Sequence, residues 1–340
     1  MVLSEDGEPM MIRFLMEMRV ACRAGFASDA PPTIMLRGGV SAIACVVVGL
    51  CVSLVGCERR LAPAAIENSQ QVAKIRESLG GGGAEQQPGA EQALPEPTGW
   101  GTLKGVVKLT GNAPAPEALR VDKEVDVCAP GGKTVYSEAL VVGSTGGIKD
   151  VVIFLATKIP NEEKWVHETA KPGKTDEVLF DQRNCVFLSH VLVMQSSQTL
   201  KIVNSDGIPH NTKIDTLANA GINPSVPGGG TSKHSFPKEE RQPARVSCSI
   251  HPWMSSWIMT RDNGYFAVTN EQGEFEIPNL PAGVELEFRV WQEKSNWLSA
   301  ANINGAAKKL PKGKLLWTVD AEDASKNQLN LDVDAAVFTK

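Results

Sequence analysis

From Trp100 onward the chain alternates between short runs rich in Val, Ile, Phe and Thr and breaks made of Gly, Pro, Asn or Asp. The runs predict strands at Thr102–Leu109, Ala139–Val142, Asp150–Leu155, Val186–Met194, Thr199–Asn204, Ala244–Ser249, Ser256–Thr260, Phe266–Thr269, Glu274–Ile277, Glu285–Trp291, Leu315–Val319 and Gln328–Val333. Several alternate apolar and polar positions, which is the period of a half-buried strand, and their β-branched and aromatic residues favour it. No long stretch repeats apolar residues at helical spacing. Many short strands separated by turn residues predict an all-β sandwich or barrel.

Upstream the pattern changes. Residues 58–98 contain the run Gly80–Gly83, many Gln and Glu residues, and Pro88, Pro95 and Pro97. So little apolar surface cannot offset the entropy of ordering, which predicts a flexible tether from Cys57 to residue 98. No Gly-Lys-Ser/Thr follows the glycines, so they do not form a phosphate loop. Further back, Met35–Cys57 reads MLRGGVSAIACVVVGLCVSLVGC: a basic start at Arg37, an apolar run from Val40 to Val55, then Gly56 and Cys57. That order describes an export signal. Its ending resembles a bacterial lipobox, which implies cleavage ahead of Cys57 and acylation of that cysteine. Residues 1–56 are then a signal, with Met35 as its true start. The alternative is an uncleaved anchor, since the apolar run is near the lower limit for spanning. Both readings put the body outside the cytoplasm, in the periplasm or at the cell surface, and hold it to a membrane.

Charge adds one exclusion. The net charge is −5 and no run of Lys or Arg forms a basic face, which argues against a nucleic-acid partner.

Two segments carry chemistry. Asn204–Asn211 (NSDGIPHN) follows a predicted strand, and Cys248–Met254 (CSIHPWM) follows another. A His, Cys, His set with a Met is the ligand list of a mononuclear blue-copper site. Cu(I) favours soft sulfur and low coordination, while Cu(II) favours nitrogen and tetragonal geometry. Two nitrogens, one thiolate and a distant thioether suit both states tolerably, so little has to move when an electron arrives. Zinc sites rarely recruit a thioether, which makes Met254 the discriminating residue. A binuclear copper centre would need a second cysteine in the loop, and there is none. No Cys-x-x-Cys-His for haem attachment occurs. With five histidines and no His-x-His, a multicopper oxidase is disfavoured.

The Cys-x-x-His-x-x-Met loop with an upstream Pro-His-Asn is similar to amicyanin-type cupredoxins, over roughly residues 179–264. The resemblance implies one type 1 copper ion held by His210, Cys248, His251 and Met254. It implies that Asn211 braces the ligand loop and the Cys248 sulfur. Pro252 stiffens the loop, and His251 with Trp253 forms the edge where electrons leave. A second resemblance covers Gly101–Val107 (GTLKGVV), Asp150–Leu155 (DVVIFL) and Phe266–Trp291 (FAVTNEQGEFEIPNLPAGVELEFRVW), which look like a carboxypeptidase regulatory-like sandwich. The expected layout is therefore a Greek-key cupredoxin at 179–264, inserted between 99–178 and 265–340 of that second sandwich. The rival layout is an enlarged cupredoxin followed by a C-terminal sandwich.

With Cys57 acylated and Cys248 on the metal, Cys128 and Cys185 remain, and an exported chain tends to oxidise such a pair to a disulfide. His190 is expected to be structural. His167 and His234 are expected to be solvated in polar loops, and Trp257, Trp291, Trp297 and Trp317 fit sandwich packing. The function expected is electron transfer without bond chemistry, between envelope redox proteins such as a c-type cytochrome or a dehydrogenase. The alternatives are a polysaccharide- or protein-binding envelope module, and a copper storage or delivery protein.

Overall fold

The strand Gly99–Thr110 opens the body in the computed structural model, which describes residues 94–171 and 176–339. Leu103 and Val107 on it are fully buried, while Lys104 and Lys108 face solvent, as the two-residue period requires. It pairs antiparallel with Glu274–Ala282 and, at its far end, parallel with Leu331–Asp334. Gly105 permits that crowding, because a Cβ there would lie 1.7 Å from the Leu329 carbonyl oxygen. The sheet continues through Ala300–Ile303 and Ala306–Lys309. A facing sheet runs Phe266–Val268, Val152–Leu155, Glu285–Gln292 and Asn296–Trp297, with Lys314–Thr318 also paired to Glu285–Gln292. Leu103, Val107, Ile153, Ile277, Phe288 and Leu331 fill the core between them.

Between Leu155 and Phe266 the chain builds a second sandwich. One sheet runs Thr231–Ser235, Thr199–Asn204, Glu177–Arg183 and Val186–Phe187; the other runs Val191–Gln195, Ser255–Arg261, Ala244–Ser247 and Lys213–Asp215. Each contains one parallel pair, Glu177–Arg183 with Thr199–Asn204 and Val191–Gln195 with Ser255–Arg261, so the strands cross between sheets rather than meander. Its core includes Phe180, Phe187, Leu200 and Ile202, and the same cluster takes in Cys248 and Met254. A third apolar cluster of Val152, Phe154, Val191, Val193, Met259 and Trp291 joins the two sandwiches. There the rings of Trp257 and Trp291 meet edge to face at 5.2 Å. Arg261 crosses the same seam, donating to the Leu155 carbonyl at 2.8 Å.

The described residues are thus all-β, with one four-residue helix at Val125–Cys128 and short 3-10 turns. Three local expectations need correction. Val186–Met194 is not one strand: it divides into Val186–Phe187 and Val191–Gln195, in different sheets. Leu188, 52% exposed, sits in the crossing between them, and Ser189-His190 marks the change of sheet that the flanking apolar residues hid. Ala139–Val142 forms only a bridge from Val142 to Ile148, because Gly143 and Gly147 close a tight turn with a 2.8 Å backbone hydrogen bond. His234 lies on the strand Thr231–Ser235 rather than in a loop; that edge strand is polar on both faces and shows no apolar alternation. The expected signal, the Cys57 acylation site and most of the tether lie outside the described residues. Among the described residues no helix is long and apolar enough to cross a membrane.

Candidate metal centre

The strand Ala244–Ser247 pairs antiparallel with Ser255–Arg261, and Ser247 faces Ser255, so Cys248–Met254 is the connection between them. Two backbone bonds tighten it: Cys248 N–H donates to the Met254 carbonyl at 3.3 Å, and Met254 N–H to the His251 carbonyl at 2.9 Å. The result turns Cys248, His251 and Met254 inward, at 3%, 1% and 1% exposure, and leaves Pro252 outside. His210 arrives from the other side on the two-residue strand His210–Asn211, paired with Ser225–Val226. Asn204 holds the preceding turn by donating its amide to the carbonyls of Ile208 at 2.8 Å and Val226 at 3.0 Å.

The donor atoms of His210, Cys248 and His251 all lie within 4.8 Å of one another. The two Nδ1 atoms are 2.9 Å apart, with the rings edge to face. Two nitrogens bound to one ion at about 2.0 Å sit about 3 Å apart, so the pair needs little adjustment to share a metal. Each imidazole keeps its other nitrogen on a carboxylate: His210 Nε2 on Asp206 at 2.8 Å, His251 Nε2 on Glu124 at 3.1 Å. Such partners fix the tautomer, leaving Nδ1 of each ring as the donor available to an ion. Asn211 Oδ1 accepts from the Ser249 N–H at 2.7 Å and from the Cys248 thiol at 3.4 Å, while its amide donates to Asn223 at 2.6 Å. It therefore ties the ligand loop to the His210 strand. Met254 lies in the same buried cluster as Cys248.

Electrostatics favour a thiolate. Burial works to raise the Cys248 pKa, but the hydrogen bond from His210 and those from nearby backbone N–H groups outweigh it and leave the thiol below its ordinary value. Burial likewise opposes a charged His210, and its bonds to Cys248 and Asp206 more than compensate, so its pKa is raised. His251 goes the other way: burial lowers it, with Glu124 only partly offsetting. Two nitrogens, a buried thiol sulfur and a nearby thioether form a donor set that fits copper.

Asp206 and Glu124 were not foreseen in the sequence. Asp206 is buried and accepts from the backbone N–H groups of Asn184 at 2.6 Å and Cys185 at 2.9 Å as well as from His210. Its signal was available, four residues before His210 in the same turn. Asp206→Ala would leave the buried Cys185 N–H, the part-buried Asn184 N–H and an imidazole nitrogen without acceptors. The expected cost is about 1–3 kcal/mol per orphaned group, read as a lowered thermal midpoint of the metal-free chain. A midpoint equal to wild type would show that water replaces the carboxylate without loss.

Glu124 gave no such signal, lying 127 residues from His251 in sequence. It belongs to a cap over the ligand loop. Cys128 and Cys185 are joined by a disulfide, Lys123 donates to the Ile250 carbonyl at 3.1 Å, and Trp253 Nε1 donates to the Cys185 carbonyl at 3.2 Å. The cap corrects one expectation. His251 does not present a bare edge to solvent but is 1% exposed, because Glu124 and the bridged segment lie across it. Trp253 remains partly exposed, its ring 5.2 Å from that of His251, on the wall of a cavity of about 400 Å³. His190 is buried beside that cavity, with Nε2 on Glu293 and Nδ1 3.6 Å from Glu138, inside a charge network rather than among metal donors.

No family model matches the chain, and no curated protein does. Among solved structures, amicyanin from Paracoccus versutus (Thiobacillus versutus) is similar at 16% identity, covering 32% of this chain and 97% of that one with a TM-score of 0.23. The Cu(I) form of an amicyanin mutant is similar at 15% identity, covering 26% of this chain and 95% of that one, with a TM-score of 0.23. A Cu-containing nitrite reductase from Thermus scotoductus SA-01 is similar at 22% identity and a TM-score of 0.24, over 25% of this chain. The chain spans 22% of the length of that reductase.

Proposed function

We propose that this chain is a blue-copper electron carrier of the cell envelope, with one type 1 copper ion that His210, Cys248, His251 and Met254 would hold. One observation carries the reading: three donors from two segments far apart in sequence converge within 4.8 Å, all of them buried. Bound copper would supply a one-electron couple. The protein supplies everything else. Asp206 and Glu124 hold the imidazoles in one tautomer, Asn211 steadies the sulfur, and the surrounding core excludes water, so the donors do not rearrange between oxidation states. With His251 covered, the partly exposed Trp253 beside it is the route by which electrons leave. The partners proposed are envelope redox proteins such as a c-type cytochrome or a dehydrogenase, with the acylated Cys57 as membrane anchor. The flanking sandwich, carboxypeptidase regulatory-like in its sequence, begins between the anchor and the metal donors in chain order.

The test is an absorption and paramagnetic-resonance spectrum of the copper-loaded chain. An intense band toward the red that bleaches reversibly on reduction supports the carrier; a colourless copper-loaded protein supports storage instead. Met254→Leu is expected to keep copper and colour while moving the reduction potential, since the axial ligand tunes it. A potential identical to wild type would remove Met254 from the ligand set.

A further inference from the structure

Two buried sulfurs besides Cys248 crowd the same space. A ring nitrogen of His251 and the sulfurs of Cys128 and Cys185 lie within 4.8 Å of one another, and all three residues are at most 1% exposed. The Cys185 sulfur also lies within 4.8 Å of a His210 nitrogen and an Asp206 oxygen. A disulfide that only fastened a surface cap would not need to sit among imidazoles. We infer that the Cys128–Cys185 bridge masks a second metal site, and that its reduced form binds Cu(I) through Cys128, Cys185 and His251.

The donors match that ion. Two thiolates and one imidazole are a soft set of low coordination number, which selects Cu(I) over harder cations. Bonds of about 2.3 Å to sulfur place the donors of a three-coordinate ion about 4 Å apart, inside the spread already present once the sulfurs part. The cap can yield to let them do so. Cys128 ends a helix of four residues, and the following Gly131 and Gly132 have positive φ with no neighbour against a Cβ position. Glu124, at the other end of the helix, is in the left-handed region at φ 41°.

Opening the site takes two electrons and two protons. A small dithiol supplies them, becoming a cyclic disulfide while the Cys128–Cys185 bond is broken and both sulfurs are protonated. Each thiol then releases its proton to solvent when Cu(I) binds. Because His251 belongs to both donor sets, loading one site alters the other. This inference does not rest on the blue-copper reading, since neither Cys128 nor Cys185 contributes to it.

The experiment titrates the full chain with Cu(I) against a chromogenic Cu(I) chelator, before and after mild dithiol treatment, in wild type and in Cys248→Ser. Near-ultraviolet circular dichroism monitors folding, and free-thiol counts monitor reduction. The Cys248→Ser background removes the first site's sulfur, so failure of the blue-copper reading leaves the measurement intact. The expected result on reduction is one additional tight Cu(I) equivalent in Cys248→Ser and a weaker additional one in wild type, where the first site already engages His251, both lost when Cys128→Ser is added. No additional equivalent, an equivalent that survives Cys128→Ser, or reduction that proceeds only with loss of the folded spectrum overturns the inference. If Cys248→Ser does not fold, the wild-type comparison alone decides in the same way.

Discussion

Cys248→Ser is expected to give a folded chain that no longer develops intense visible absorption when copper is added. The strong colour of such a site comes from charge transfer out of a thiolate, and a serine hydroxyl neither ionises in this range nor supplies a soft donor. The effect should be near total rather than graded, because among the described residues Cys248 is the free thiol that converges with His210 and His251. Structure should survive. Serine is close in size to cysteine, and the Asn211 Oδ1 that now accepts from the thiol at 3.4 Å stands ready to accept from a hydroxyl. The variant and wild type would be compared by absorption and paramagnetic resonance after copper titration, with thermal melts as the folding control. Persistence of the band in the variant would refute the ligand assignment.

Arg261→Ala is expected to produce the largest loss of stability. The Arg261 side chain is 6% exposed and pairs with Glu239, itself 13% exposed. Its guanidinium also donates to the Leu155 carbonyl at 2.8 Å and the Glu240 carbonyl at 3.2 Å, and lies 4.3 Å from the centre of the Phe154 ring. Truncation leaves the half-buried Glu239 carboxylate with the exposed Lys158 beside it, and it strips a donor from the seam between sandwiches. Removing one partner of a buried pair costs about 3–5 kcal/mol. At about 2–4 °C per kcal/mol for a body of this size, even the low end lowers the melting midpoint by about 6–12 °C. A shift below about 2 °C in the metal-free chain would show that the seam is held by its apolar cluster alone.

Strands were legible by two routes: burial that follows the two-residue period, or an unbroken apolar run such as Val152–Leu155, which is buried at every position. Thr199–Asn204 alternates between partly exposed and buried residues, and its boundaries could be read directly from the sequence. Glu177–Arg183 and Thr231–Ser235 escaped because they mix charged and polar residues on both faces and lean on a central strand for partners. Glu274–Ala282 runs five residues beyond its expected end, through Pro278 and Pro281, which suggested a break. The site divides in the same way. Cys248, His251 and Met254 stand at short fixed spacings, so their grouping is local information and can be read, and His210 was legible only through its own Pro-His-Asn context. The cap is non-local. Nothing about Glu124 in its own neighbourhood points to an imidazole on the far side of the chain, and only the folded geometry brings the two together.

The strand Gly99–Thr110, clasped by Glu274–Ala282 on one edge and Leu331–Asp334 on the other, has a mechanical consequence. If the chain is moored through its N-terminal side, any tension enters at Gly99 and runs along that strand, where many backbone bonds resist sliding together. The second sandwich departs after Leu155 and comes back beside its own point of departure, with Phe266 across from Phe154, and ahead of it the cap around Glu124 and Cys128 reaches the ligand loop. Under such mooring the pairings of that strand would take up drag ahead of the two imidazoles.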